Sequence, residues 1–182
     1  MARVPDMTAD RLKEADRDLL RRDIALHRAL ANSPNAARAF SGLGQFIRHA
    51  SLLDPRLREL AILQVGWLAR SPYEWSHHVK IGMDFGVSED DIRALIAETE
   101  GRENALEPLA KLVLRAAREC HDGPGVSAAT FEALRAHFDH ERLVDLVLTI
   151  AFYCAVVRVL ASLDIQVEPE YQPWLDRFPL PG

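Results

Sequence analysis

Ser33-Pro34, Asp54-Pro55 and Ser71-Pro72 repeat one device along this chain. In each, a side chain able to accept a backbone N–H precedes a proline. Proline is harmless at the first helical position, where its missing donor would be unpaired anyway, and disruptive further in. The three pairs therefore predict helices starting at about 34, 55 and 72. Ser88, with Asp91 three residues on and Gly86 before it, predicts another start. That helix should end near Glu100-Gly101. Helical spacing of Leu109, Leu112, Val113 and Ala116 predicts a helix from about Glu107 to His121, broken by Asp122-Gly-Pro-Gly125. Ser127 caps a short helix carrying Phe131, Leu134 and Phe138, and a last helix runs from about Glu141 to Leu163. No alternating strand pattern competes with these signals. The expected fold is all-α, with about seven to eight helices.

Residues 1–33 read as an N-terminal helical arm. Thr8 caps a polar helix to about Arg22, which runs on or re-forms through Ile24, Leu26 and Leu30. Residues 166–182, with four prolines and Trp174, read as an extended Pro-rich tail. No linker interrupts the 182 residues, so 1–182 is expected to be a single domain. A chain of this length buries about 70% of its unfolded surface. Its net charge of -5 gives no basic face for nucleic acid. The longest apolar run, 146–157, falls short of the ~20 residues that span a bilayer and reads as a core helix. A charged N-terminus without an apolar signal segment makes the cytoplasm the expected compartment. Cys120 and Cys154 have neither a redox-pair nor a zinc spacing, and read as free thiols.

The chemistry concentrates on two consecutive helices. Glu74 and His78 stand four residues apart within an apolar arc, so their side chains are neighbours. Tyr73, His77, Lys80 and Asp84 share the polar face, which directs His77 to solvent. On the preceding helix Glu59 shares a face with Ile62, Leu63 and Gly66. A carboxylate there must be paired or have a raised pKa. If the tight Ala69-Arg70-Ser71 turn makes the helices antiparallel, Glu59 approaches His78. A purely structural reading explains the same residues: Ser71 and Glu74 as a capping box, Glu59 and His78 as a buried ion pair. Metal binding by Glu74 and His78 lacks a third and fourth ligand, and no metal is expected. His27, His49, His121, His137 and His140 read as surface or helix-end residues, and Tyr153 as core.

The stretch from Arg56-Leu-Arg-Glu-Leu through Ser71-Pro-Tyr-Glu-Trp-Ser-His-His-Val79, followed by Gly86-Val-Ser-Glu-Asp-Asp-Ile92, resembles the core of the carboxymuconolactone decarboxylase family. That family includes the alkyl hydroperoxidase D-like proteins. The resemblance implies an all-α fold and a homo-oligomer, trimer or hexamer. In the peroxidase branch a glutamate precedes a Cys-x-x-Cys pair and a histidine. The matching positions here are Glu59, Ser71, Glu74 and His78, so both thiols are gone and alkyl hydroperoxidase activity is not expected. What the resemblance leaves is acid/base chemistry, decarboxylation or a related proton transfer on a small lactone or organic acid, without a cofactor. In it His78 is the general acid/base, Glu59 its orienting partner and Glu74 a second acid. Ser71, with the helix-start N–H groups, and Arg56 would bind the substrate carboxylate. The alternative is a non-catalytic oligomeric helical module. Neither reading calls for a nucleic acid or a membrane as partner.

Overall fold

The computed structural model describes residues 2–181. Met1 and Gly182, the ends of the expected arm and tail, lie outside the described residues. Among those residues the chain forms α1 (Ala25–Leu30), α2 (Pro34–His49), α3 (Pro55–Leu68), α4 (Pro72–Asp84), α5 (Glu89–Thr99), α6 (Pro108–Asp122), α7 (Ala128–Arg135), α8 (His140–Leu163) and α9 (Gln172–Arg177). Two 3-10 segments, Glu14–Leu20 and Pro169–Tyr171, complete it, and no strand is present among the described residues. The second runs directly into α9, so the helical bodies number ten rather than seven to eight.

Helices α2, α3 and α4 begin at the three prolines as expected. Asp54 accepts from the Leu57 N–H at 3.0 Å, and Ser88 and Asp91 form a complete capping box. Ser33, in contrast, makes no side-chain cap bond. The differences in helix count arise at the chain ends. Thr8 starts no α-helix. Residues 8–22 offer almost no apolar face to bury, so they settle into a 3-10 segment pinned by Arg38 to Asp16 and Asp18 at 3.0 and 2.8 Å. The tail is not extended. Pro173 sits in the first turn of α9, where proline is tolerated, and α9 packs on α4. There Trp75 Nε1 donates to the Phe178 carbonyl at 2.7 Å.

Helix α3 is the axis of the fold. Every residue from Leu57 to Trp67 is buried, because α4, α6 and α8 pack around it. The reversal into α4 is a Schellman turn. The Ser71 N–H reaches the Gly66 carbonyl at 3.0 Å and the Arg70 N–H reaches Trp67 at 3.1 Å. Arg70 holds the left-handed position at φ 47°, which costs an ordinary residue on the order of 1 kcal/mol and is sustained by the packing on either side. Two glycines line the α3–α4 contact. A Cβ on Gly66 would lie 3.4 Å from the Trp75 nitrogen and 3.6 Å from Glu74 Cγ. A Cβ on Gly82 would lie 3.3 Å from Val87 and 3.6 Å from Glu59 Cβ.

Helix α8 is apolar on nearly every side. Leu146, Ile150, Tyr153 and Val157 face the core, while Val144 is 64% exposed and joins Leu148, Ala151 and Phe131 along a shallow outer groove.

Gly82→Ala should destabilise the protein by about 1–3 kcal/mol, because the Val87 side chain, which folds back onto α4 at 3.3 Å from the new methyl, must give way. Gly42→Ala, on α2 with open space around the new methyl, should stabilise it by about 0.5–1 kcal/mol. Urea unfolding of both variants checks this; equal effects would show that Val87 does not pack tightly on Gly82.

Candidate active site

Antiparallel packing of α3 and α4 brings Glu59 to His78. Glu59 Oε2 lies 2.7 Å from His78 Nδ1. One helical turn before His78, Glu74 places Oε1 3.0 Å from Nε2. Each ring nitrogen of a buried imidazole therefore meets a carboxylate. The other Glu59 oxygen accepts from Nε and Nη2 of Arg58, both at 3.0 Å. Arg58 is itself 2% exposed, stacks over the Phe85 ring at 4.5 Å, and donates from Nη1 to the Arg48 carbonyl at 3.2 Å. With His78 protonated, two cations balance two anions in the buried cluster.

Burial disfavours charge on His78, but Glu74 and Glu59 outweigh it and push its pKa up to about 9. The imidazole is a cation at neutral pH. Burial would raise the Glu59 pKa, yet the charges and hydrogen bonds of His78 and Arg58 hold it below the usual carboxylate range. Glu59 is thus fixed on both oxygens. Glu74 is held less firmly. Its 3.0 Å approach to Nε2 is an ion-pair contact out of line for a hydrogen bond, and Oε1 has no other partner among the described residues.

The capping box expected of Ser71 and Glu74 is only half made. Ser71 Oγ accepts from the Glu74 N–H at 3.4 Å, but the Ser71 N–H is spent on Gly66. The Glu74 carboxylate turns to His78 instead, because the imidazolium is a stronger partner in a buried setting than a backbone N–H already satisfied.

Glu74 and His78 line a cavity of about 80 Å3 enclosed by α1, α2, α4 and α8. Tyr153 reaches it from α8, its ring edge-on to His78 at 5.0 Å. Burial, together with the charges of Glu74 and Glu59, keeps the Tyr153 phenol protonated well above its usual range. Phe40, Ile81, Phe152 and Val156 supply apolar wall, and Arg22 and Arg48 supply positive charge.

Of the residues singled out in the sequence, Glu59, Glu74 and His78 come together. Ser71 and Arg56 do not join them. Ser71 opens on a separate hollow beside the end of α8. Arg56 ties α3 to the start of α5 and to the residue before α6, bonding Asp91 through Nε at 2.9 Å and Glu107 through Nη1 at 2.7 Å.

His77 does not face solvent. It is 3% exposed, stacked between Tyr73 at 4.1 Å and Tyr171 at 3.5 Å, with Nε2 2.9 Å from Glu168. Glu168 also accepts from the Ala25 N–H at 2.7 Å and the Tyr73 hydroxyl at 3.2 Å. Burial holds the His77 pKa down, so the ring is a neutral donor to an ionised Glu168. The Tyr73–His77 part of the polar face of α4 is covered by the chain's own C-terminal segment, while Lys80 and Asp84 stay exposed, and helical phase on α4 alone does not disclose the difference.

His27, read as a surface residue, lines the cavity. Tyr153 could have been found from the phase of Leu146, Ile150, Tyr153 and Val157, which puts it on the inner face of α8. Arg22 and Arg48 carry no comparable signal.

Residues 34–119 match the sequence model of the Carboxymuconolactone decarboxylase family, a span from α2 into α6 that includes Glu59, Glu74 and His78. Solved structures similar to this one include an alkylhydroperoxidase AhpD core protein from Ralstonia eutropha, described as an uncharacterized peroxidase-related protein. It has a TM-score of 0.77 and 20% identity, over 96% of this chain and 95% of that one. A peroxidase-related protein from a Silicibacter species has a TM-score of 0.68 and 17% identity, over 79% and 76% of the two chains. The debrominase Bmp8, in complex with 2,3,4-tribromopyrrole, has a TM-score of 0.71 and 18% identity, over 91% and 94%. Among curated proteins no sequence matches the chain. This is a carboxymuconolactone decarboxylase/AhpD-like fold, as the sequence resemblance implies.

The raised pKa of His78 has a signed consequence. Its contribution to stability is complete below the ordinary histidine pKa of about 6.5 and is lost as pH rises through about 9. The melting temperature of the wild type should therefore fall between pH 6.5 and 9, and the fall should be largely absent in His78→Gln. Parallel pH profiles for the two proteins would contradict the assignment.

Proposed function

We propose that the protein is an acid/base enzyme acting on a small organic acid or lactone, with decarboxylation or a closely related proton transfer as its reaction. One observation carries this reading: a protonated imidazole and a buried carboxylate oxygen without a hydrogen bond touch each other at the wall of a cavity. The imidazolium charge compensates Glu74 Oε1, but this oxygen accepts no hydrogen bond and so keeps its acceptor capacity for a donor in the cavity. The similar folds cover more than one chemistry, so the reaction is argued from the site and not from the fold.

In this reading Glu59, locked by Arg58 and His78, is a positioning residue that keeps the imidazole charged and oriented. Glu74 and His78 share the mobile proton across the Oε1–Nε2 contact. Loss of carbon dioxide from a bound acid leaves the electron pair on carbon as a carbanion or enolate. That carbon takes the proton from the Glu74–His78 couple, and solvent restores it. Tyr153, held protonated, can donate a hydrogen bond to oxyanion charge as it develops.

Glu74→Gln removes the acid/base oxygen and leaves the Arg58–Glu59–His78 contacts in place. It should lower turnover at least ~100-fold on any small lactone or carboxylic acid that the wild type converts, read by carbon dioxide release and pH change, with the fold intact by circular dichroism. Unchanged turnover would end this reading.

A further inference from the structure

We propose that Arg22 and Arg48 form an anion-binding wall of the cavity, so that the site takes a small carboxylate bearing an O–H or N–H donor beside a short apolar body. The inference rests on the acid/base reading of the same cavity and names its ligand class. Among the described residues neither Arg22 nor Arg48 has a carboxylate partner, although both residues line the cavity together with an acid, Glu74; Arg48 is hydrogen-bonded through its side chain to Tyr153, another residue of the cavity wall. Most arginines elsewhere in the fold are paired, as Arg56, Arg58 and Arg38 are. Two unneutralised cations therefore share one small space with a carboxylate oxygen that lacks a hydrogen bond.

Their setting is a built one. Arg48 stands in the last turn of α2, and its carbonyl is tied to Glu59 through Arg58, so its backbone is registered to the triad. Arg22 precedes α1, and its backbone is hydrogen-bonded to the His27 side chain. Burial, and after it the charges of Arg22 and Arg48, lower the His27 pKa, so this ring stays neutral and the local potential is positive. Glu74 Oε1 needs a donor that the protein does not supply. A ligand with a carboxylate toward the arginines and a hydroxyl or N–H toward Glu74 satisfies both ends. Phe40, Ile81, Phe152 and Val156 then accept an apolar group between them.

The space limits that group. A cavity of about 80 Å3 is roughly half of the ~150 Å3 cavity that holds a benzene ring. The enclosed part of the site therefore suits a short aliphatic unit and not a fused aromatic.

Lactate and its neutral isostere lactamide separate charge from shape. Titration into the intact protein, followed by NMR of the amide and histidine resonances, should show saturable lactate binding with shifts around His78 and Tyr153. Lactamide should bind at least ~10-fold more weakly, and added salt should weaken lactate binding. Arg22→Gln and Arg48→Gln, together, should reduce lactate affinity at least ~10-fold, and Arg48→Lys should restore part of it. Equal binding of lactate and lactamide, unchanged binding in the double variant, or no saturable binding of lactate would each overturn the proposal. Because these readouts do not require turnover, their failure is distinguishable from failure of the acid/base reading, which Glu74→Gln tests separately.

Discussion

The contact on which the rest of the structure depends is the imidazolium of His78 held between two buried carboxylates. It requires α3 and α4 to run antiparallel at close range, with Glu59 and His78 in register. The Arg70 turn fixes the reversal, and burial of α3 on its remaining sides holds it. Breaking one partner of such a cluster is expensive, because it leaves another charge uncompensated away from water. Arg58 extends the arrangement to a neutral set of four charges, which is how a core this apolar can contain them.

The chain's two ends complete the site that its middle creates. Glu168, from beyond α8, gathers the Ala25 N–H, the Tyr73 hydroxyl and His77 into one buried node. That node seats α1 against α4, and Tyr171 covers His77 from outside. The cavity is therefore bounded by the segment before α1, by α2, α4 and α8, while the family-matched span stops within α6. The acid/base pair lies inside the matched span, whereas Arg22 and Tyr153 lie outside it.

Much of this was legible in the sequence, and the reasons are local. Proline and capping residues mark helix starts because the backbone geometry at those positions is set within four residues, and α2 to α8 begin within a residue of the expected places. The i,i+4 pairing of Glu74 with His78 needs only the helical repeat. Glu59 was reachable because a tight turn leaves two helices little choice of orientation. What escaped depends on contacts distant in sequence. The polar pattern of its face of α4 directs His77 to solvent, yet a segment about 90 residues later covers it. The family resemblance makes Arg56 and Ser71 substrate ligands, but Arg56 is taken by Asp91 and Glu107, and Ser71 by its helix cap. Arg48 enters the cavity from the end of α2, a position that no pattern of spacing marks.

The central claim is that His78 is a cation at neutral pH because two carboxylates outweigh its burial. The direct measurement is a nitrogen-15 NMR titration of the histidine side chains, with the His78 signal among the seven assigned by comparison with His78→Gln. The account predicts an imidazole with both ring nitrogens protonated at pH 7 that titrates near pH 9. A His78 ring already neutral at pH 7, carrying a proton on only one nitrogen, would contradict it.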